Sequence, residues 1–564
     1  MREEAVHDAL KTDPDAMRDS RPAQAAWGWR ALFWAAVVGY VWVMLVGPLR
    51  SEPFRGSLHG NDFKHLYLGA WMLPRGMDPY DEKQLFAVGN QRGFQSLNPY
   101  VYPPFTGLVV SPLGLMDPYD ALRVWFGVNH LLFLSGLALT VWSLGLGRRW
   151  EGWAVAMLLA AFSSPLYRTL TAGQLNCVLF FCYAAVFALL KRRRNAGAGA
   201  VAAFAFLFKL APGILLPYFG WQAIGDFFSG KKAFGSAAGT NSGILEEAGE
   251  NCIRRHDHGR DARVPSTGLS SGCMALEEGG SWGRAFWKNA AFRSALWMVL
   301  FTAVFLALSV VWVGWDQHRA FRPLLEQMGY GRSTWAHHGM AFYRDAENQS
   351  FNSLFHHLFV ASDSTTPWVD LGAGWANGLT RVALGICGLL VLWRTWPGRR
   401  VSREMGYGLF ILLGLLAPSI CWDHYAVMLV WPLLACYTRL AQSVRIAALC
   451  IFVGLVMAGL GLIRLQTWGV APVGAAAGVG VWLVVRKKGA GMEALLWGLA
   501  AGCVSMRFPF GAPVFSKGIG LLGMSVGLGG MLALFALCLI LARESDDREN
   551  DGEIVQEKLK GSSI

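Results

Sequence analysis

The sequence predicts an all-α protein that crosses a membrane many times. Apolar runs of spanning length recur from residue 31 to residue 542, and a bilayer core takes ~20 apolar residues per helix. Only 16% of the 564 residues are charged, against roughly a quarter in soluble chains. Lys and Arg gather in short clusters between the runs, at Arg148–Arg149, Lys191–Arg194, Lys231–Lys232, Arg394–Arg403 and Arg486–Lys488, as they do in cytoplasmic connections. That placement also argues against the nucleic-acid partner that a net charge of +12 invites.

Residues 1–30 read as a mixed-charge cytoplasmic segment. No small-residue cleavage site follows the first run, so 31–49 reads as a retained anchor. Spans are then expected at 121–145, 152–170, 175–190 and 198–224. The last carries Lys209 and Pro212 in mid-run; proline removes a backbone donor and breaks a helix, which predicts two half-spans around a cavity. Residues 225–293 are Gly/Ser-rich and charged and read as a flexible cytoplasmic insertion. Cys252, His256, His258 and Cys273 lie there, but their spacing fits no common zinc-finger pattern. Further spans follow at 294–315, 375–393, 405–418, 422–440, 444–463, 470–485, 492–505 and 519–542, and a charged cytoplasmic tail at 543–564. The expectation is about 12–14 crossings, some broken or re-entrant, in an N-terminal module (31–224) and a C-terminal module (294–542). The ten cysteines lie mostly inside apolar runs, where a thiol acts as a small hydrophobe, so no disulfide framework is implied.

With the N-terminus inside, the basic clusters fall on the cytoplasmic side, and the long connections 50–120 and 316–374 fall outside. So do the turn "TAGQLN" and the start of "SICWDHY". Polar candidates therefore converge on one face. Asp62, in "HGNDFKHLYLGAWMLPRGMDPYD", suits a general base and equally suits a helix N-cap. The neighbouring aromatics suit sugar stacking or an interfacial belt. The run 105–116, bounded by Pro pairs, is too short to span and is expected along the interface. Lys209 amid apolar residues marks a phosphate site or a snorkelling lysine. Gln174 and Asn176 in "TAGQLN", Asn348 and Gln349 in "ENQSFNSLFHHLF", and Trp422, Asp423 and His424 in "SICWDHY" complete the set. No P-loop and no H-E-x-x-H motif occurs, and no dinucleotide fingerprint follows a strand, so a donor is expected from the membrane.

The ordered segments "NDFKHLYLGAWMLPRGMDPYD", "YPPFTGLVVSPLGLM", "GQLN", "AFLFKLAPGILLPY", "NQSFNSLF" and "PSICWDHYAVML" resemble glycosyltransferase family 87, over most of residues 30–440. That family includes polyprenol-phosphate-mannose-dependent α-mannosyltransferases. The resemblance implies a GT-C fold in a bacterial inner membrane and a polyprenyl-phosphate sugar donor. It also implies inversion at the transferred carbon, with a lipid or cell-envelope glycan as acceptor and no cofactor. The family's catalytic aspartate falls on Asp62, its W-x-H histidine on His424 and its intramembrane lysine on Lys209. Asp423, beside that histidine, departs from the pattern. The expected roles are Asp62 and His424 in catalysis and Lys209 and His65 on the donor phosphate. Gln174, Asn176, Asn348, Gln349, Trp422, Asp423 and Tyr80 are expected on the substrates. A transporter or flippase of lipid-linked sugars is the alternative.

Overall fold

A computed structural model describes residues 23–50, 62–95, 97–227, 289–333, 342–345, 347–362, 365–396, 399, 401–464, 491–506, 516–518 and 520–542. The bulk of the proposed insertion with its Cys and His residues, the expected span 470–485, the tail 543–564, and the clusters Lys231–Lys232 and Arg486–Lys488 lie outside the described residues.

The described chain is helical throughout, with only two isolated β-bridges. Four helices are long and apolar enough to cross a membrane unaided: Ala26–Leu49, Pro118–Ser143, Ala290–Val313 and Ala373–Arg394. The other apolar helices run 10–17 residues, and several expected single spans are interrupted. The run 152–170 divides into Trp150–Ala161 and Ser164–Ala172, because Ser163 caps the second helix by accepting from Leu166 N (3.1 Å). The run 422–440 opens as the 3-10 turn Asp423–Leu429 before the helix Val430–Arg439. The run 198–224 breaks where expected. Helix Asn195–Phe208 ends at Lys209, whose backbone is extended (φ −157°, ψ 131°), and a 3-10 turn follows at Ala211–Ile214.

The connection 50–120, expected outside, is helical over much of its described part. It contains helices Phe63–Met72, Glu82–Gln91 and Pro104–Val110. Pro104 occupies the first turn of the last of these, where its missing N–H costs nothing. The first of these helices is buried almost all round, including Lys64 and His65.

Small residues let the longer helices approach closely. A Cβ placed on Gly199 would lie 2.6 Å from the Trp297 Cβ and 2.7 Å from the Met298 nitrogen, so helix Asn195–Phe208 meets Ala290–Val313 backbone to backbone, as helices do in membranes. Helix Pro118–Ser143, about 39 Å long at 1.5 Å per residue, separates two polar centres. Near its start Trp125 Nε1 donates to the Gly173 carbonyl (2.9 Å); at its end Lys191 Nζ donates to the Ser143 carbonyl (2.6 Å).

That far end is an ionic cluster beside a smaller cavity of 340 Å³. Glu151 Oε1 accepts from Tyr437 Oη (2.9 Å) and from Arg445 NH1 (3.1 Å). The rest of the Arg445 fork donates to the carbonyls of Leu440 and Thr438 (3.1 and 3.2 Å).

Candidate active site

At the other end the described residues enclose a cavity of 620 Å³. Asp62, His65, Gln174, Lys209, Trp422 and His424 all line it, so it collects segments from across the chain.

Asp62 stands at the N-cap position of Phe63–Met72, yet its side chain caps nothing. Asp81 and Asp117, at the equivalent positions of Glu82–Gln91 and Pro118–Ser143, accept from the backbone N–H of Lys83 (3.0 Å) and Tyr119 (2.9 Å). Asp62 Oδ2 instead accepts from Gln174 Nε2 (2.7 Å), and Tyr102 Oη reaches the Gln174 Oε1 (3.4 Å). The capping explanation is thereby removed. Gly173 makes the approach possible. It is left-handed (φ +68°), and a Cβ there would come within 2.6 Å of the Phe63 Cβ, so only glycine lets this turn close over the Asp62 helix.

Lys209 is delivered by the helix break. Its Nζ donates to Asn176 Oδ1 (3.3 Å) and stands 3.7 Å from the Tyr425 ring centroid, a cation–π distance. Asn176 Nδ2 in turn donates to the His424 carbonyl (3.2 Å). Asn176 is therefore a brace behind the lysine and not part of the cavity lining.

His424 is 5% exposed and lines the cavity. Its Nδ1 faces Asp423 Oδ1 at 3.6 Å. Its Nε2 is buried and, among the described residues, has no hydrogen-bond partner. A buried polar atom left unpaired beside a cavity calls for an explanation; a ligand is one. Asp423 sits behind the histidine. Its Oδ2 accepts from Arg168 NH1 (2.7 Å), and Arg168 NH2 also holds Glu347.

Arg168, Asp345 and Glu347 line the cavity too, and the sequence argument did not single them out. The rule that marked Lys209, a charge inside an apolar run, applies equally to Arg168 in the run 152–170. Asp345 and Glu347 left no such signal, because acidic residues are ordinary in a polar connection. Burial pushes the Asp345 carboxyl above the usual carboxylate range.

Four expected site residues do other work. His65 Nε2 accepts from the Asn98 backbone N–H (2.7 Å). Burial, ahead of the opposing pull of Asp62, lowers its pKa from 6.5 to about 4, so at neutral pH the ring is uncharged and ties the helix to the next loop. Asn348 Oδ1 accepts from Cys421 N (2.9 Å) while its Nδ2 donates to the Ser419 carbonyl (3.2 Å). Gln349 Nε2 donates to the Met524 carbonyl (2.9 Å), and its Oε1 accepts from Gly527 N (2.9 Å). Tyr80 Oη donates to the Tyr102 carbonyl (2.7 Å). Asn348, Gln349 and Tyr80 lie outside the lining and hold its walls. Their polar groups satisfy buried backbone, which a sequence pattern does not distinguish from a ligand contact.

Residues 100–240 match the model of glycosyltransferase family 87, a family of membrane glycosyltransferases of GT-C type. The matched stretch carries Tyr102, Arg168, Gln174, Asn176 and Lys209. No curated protein and no solved structure matches the chain.

Proposed function

We propose that this protein is an inverting glycosyltransferase that moves a sugar from a polyprenyl-phosphate donor to an acceptor hydroxyl at the extracytoplasmic face of a bacterial inner membrane. The observation that carries the proposal is the Asp62 carboxylate. It forgoes the helix cap its position offers and is held in the cavity wall by Gln174.

In the reaction the acceptor oxygen forms a bond to the anomeric carbon as the bond from that carbon to the phosphate oxygen breaks. The acceptor proton passes to Asp62, and polyprenyl phosphate departs with the electron pair. A single displacement of this kind inverts the carbon and uses one base. Gln174 fixes the direction of the Asp62 carboxylate, which matters because proton transfer depends on near-attack geometry. Charge grows on the departing phosphate, and Lys209, held by Asn176 and Tyr425, is the cation placed to stabilise it. The unpaired His424 Nε2 supplies a second contact to the phosphate. Phe321, Leu325, Met328 and Leu210 form an apolar side of the cavity, matched to the isoprenoid chain of the donor.

The test is sugar transfer by the purified protein in detergent, with a panel of polyprenyl-phosphate sugars and endogenous membrane acceptor. Transfer by the parent chain, lowered about 10²–10⁴-fold by Asp62→Asn, is expected. Near-parental transfer by that variant overturns the base assignment. No transfer by the parent, with intact polyprenyl-phosphate binding, overturns the enzyme in favour of a flippase.

A further inference from the structure

The cavity is charged unevenly. Its cations are Lys209, in the broken helix beside Tyr425, and Arg168. The Arg168 guanidinium is already shared between Glu347 and Asp423, so this triad keeps an excess negative charge. Asp345 lies in the same wall, half-buried, with its carboxylate accepting from the Glu347 backbone N–H (2.9 Å). Nearby Arg344 turns toward its own neighbour, the Tyr343 ring, at 5.4 Å, and is not part of the lining. Among the described residues, the side formed by residues 345–347 is therefore acceptor-rich and anionic. His424, whose buried ring nitrogen Nε2 has no partner among the described residues, lines the same void, as residues of a ligand site do.

We infer that the wall bearing Asp345 and Glu347 is an acceptor subsite that takes an uncharged sugar through its hydroxyl groups and rejects acceptors bearing a carboxylate or phosphate near the reacting hydroxyl. The inference rests on the proposed glycosyl transfer. Hydroxyls donate to carboxylates in charge-assisted bonds, so Asp345 and Glu347 grip a polyol. A second anion brought beside them meets like charge while Arg168, the cation of this wall among the described residues, is already engaged, and such juxtaposition is strongly unfavourable. Lys209 does not rescue it, because the donor phosphate occupies that cation. The donor and acceptor ends of one cavity are thus sorted by charge, which is discrimination by repulsion as much as by attraction.

The probes are octyl glucoside, octyl mannoside and octyl galactoside against octyl glucuronide, which differs from the first by a C6 carboxylate. Binding to the full-length protein and sugar transfer onto each are both measured. The neutral glycosides should bind at least about tenfold more tightly than the glucuronide, and Asp345→Asn should narrow the gap several-fold while preserving the bond from Glu347 N. Equal or tighter binding of the glucuronide, or no binding of any neutral glycoside, overturns the inference. An unchanged gap in both Asp345→Asn and Glu347→Gln moves the discrimination elsewhere and overturns it too. Charge discrimination in binding without transfer to any probe or endogenous acceptor leaves this subsite standing and counts against glycosyl transfer itself.

Discussion

Two polar centres stand at opposite ends of helix Pro118–Ser143, and they are built from the same kinds of residue. Each joins an arginine to carboxylates and places a tyrosine close by. Around Glu151 the bonds stay within the protein: Tyr437 and Arg445 both meet Oε1 of the carboxylate, and carbonyls meet the rest of the guanidinium. Around Asp62 the ledger of bonds stays open. Asp62 has a single side-chain donor, Gln174, among the described residues, and His424 Nε2 has no partner there. Burial of charge is common to both and separates nothing. The difference lies in the unpaired ring nitrogen of His424, a residue that lines the larger cavity, and such a group is what a binding site needs and what a purely cohesive cluster avoids.

Exchanging the two carboxylates for amides tests that contrast most severely. Asp62→Asn should remove nearly all turnover while the melting temperature stays near parental. Glu151→Gln should do the reverse, because Arg445 is left buried without its counter-charge. Breaking a buried pair costs about 3 kcal/mol, visible in detergent unfolding curves, whereas turnover per folded molecule should hold. A stable Glu151→Gln protein that has lost activity would collapse the distinction between the two ends.

A smaller effect is expected at Lys209. Lys209→Met retains the packing against Tyr425 and deletes the charge, so the dissociation constant for polyprenyl phosphate should rise about 10–100-fold, the worth of a charge-assisted bond. Unchanged affinity in a titration with the labelled lipid would place Lys209 with the cohesive residues.

The least effect at neutral pH belongs to His65. Its folded pKa, about 4, lies below its ordinary value of 6.5, so folding favours the neutral ring. The stabilisation is complete above about pH 6.5 and fades as the pH falls through the folded value. Melting temperature should therefore decline between pH 6.5 and 4.5, and less steeply in His65→Gln. Parallel curves for the two proteins would show that other groups set the acid limb.

The membrane class and the broken helix were legible because both are written in hydropathy: a run is apolar or it is not, and Lys209 with Pro212 interrupts one openly. Asp62 was legible only in part. The sequence allowed a cap or a base, and setting the cap aside needed the structure, where Asp62 meets Gln174 across 112 residues. Arg168 was readable by the rule that found Lys209. Asn348 and Gln349 misled, since an amide bonding a buried carbonyl has the same letters as an amide bonding a sugar. The breaks within the expected spans 152–170 and 422–440 were not legible for a related reason: Ser163 and the 3-10 turn at Asp423–Leu429 interrupt the helices through hydrogen bonds that hydropathy does not register.

The bond from Asn176 Nδ2 to the His424 carbonyl joins residues 248 positions apart. At about 5–20 residues per second, a ribosome needs ~12–50 s to pass from one to the other. During that interval Arg168 and Lys209 of the cavity, and Asn176 behind them, are synthesised, but the closing wall is not. The nascent chain therefore holds these polar groups without their final partners, and whatever escorts it into the bilayer must tolerate them. Biosynthesis thus cannot close the cavity before residue 424 is made, and truncated products that end before it lack the cavity's far wall.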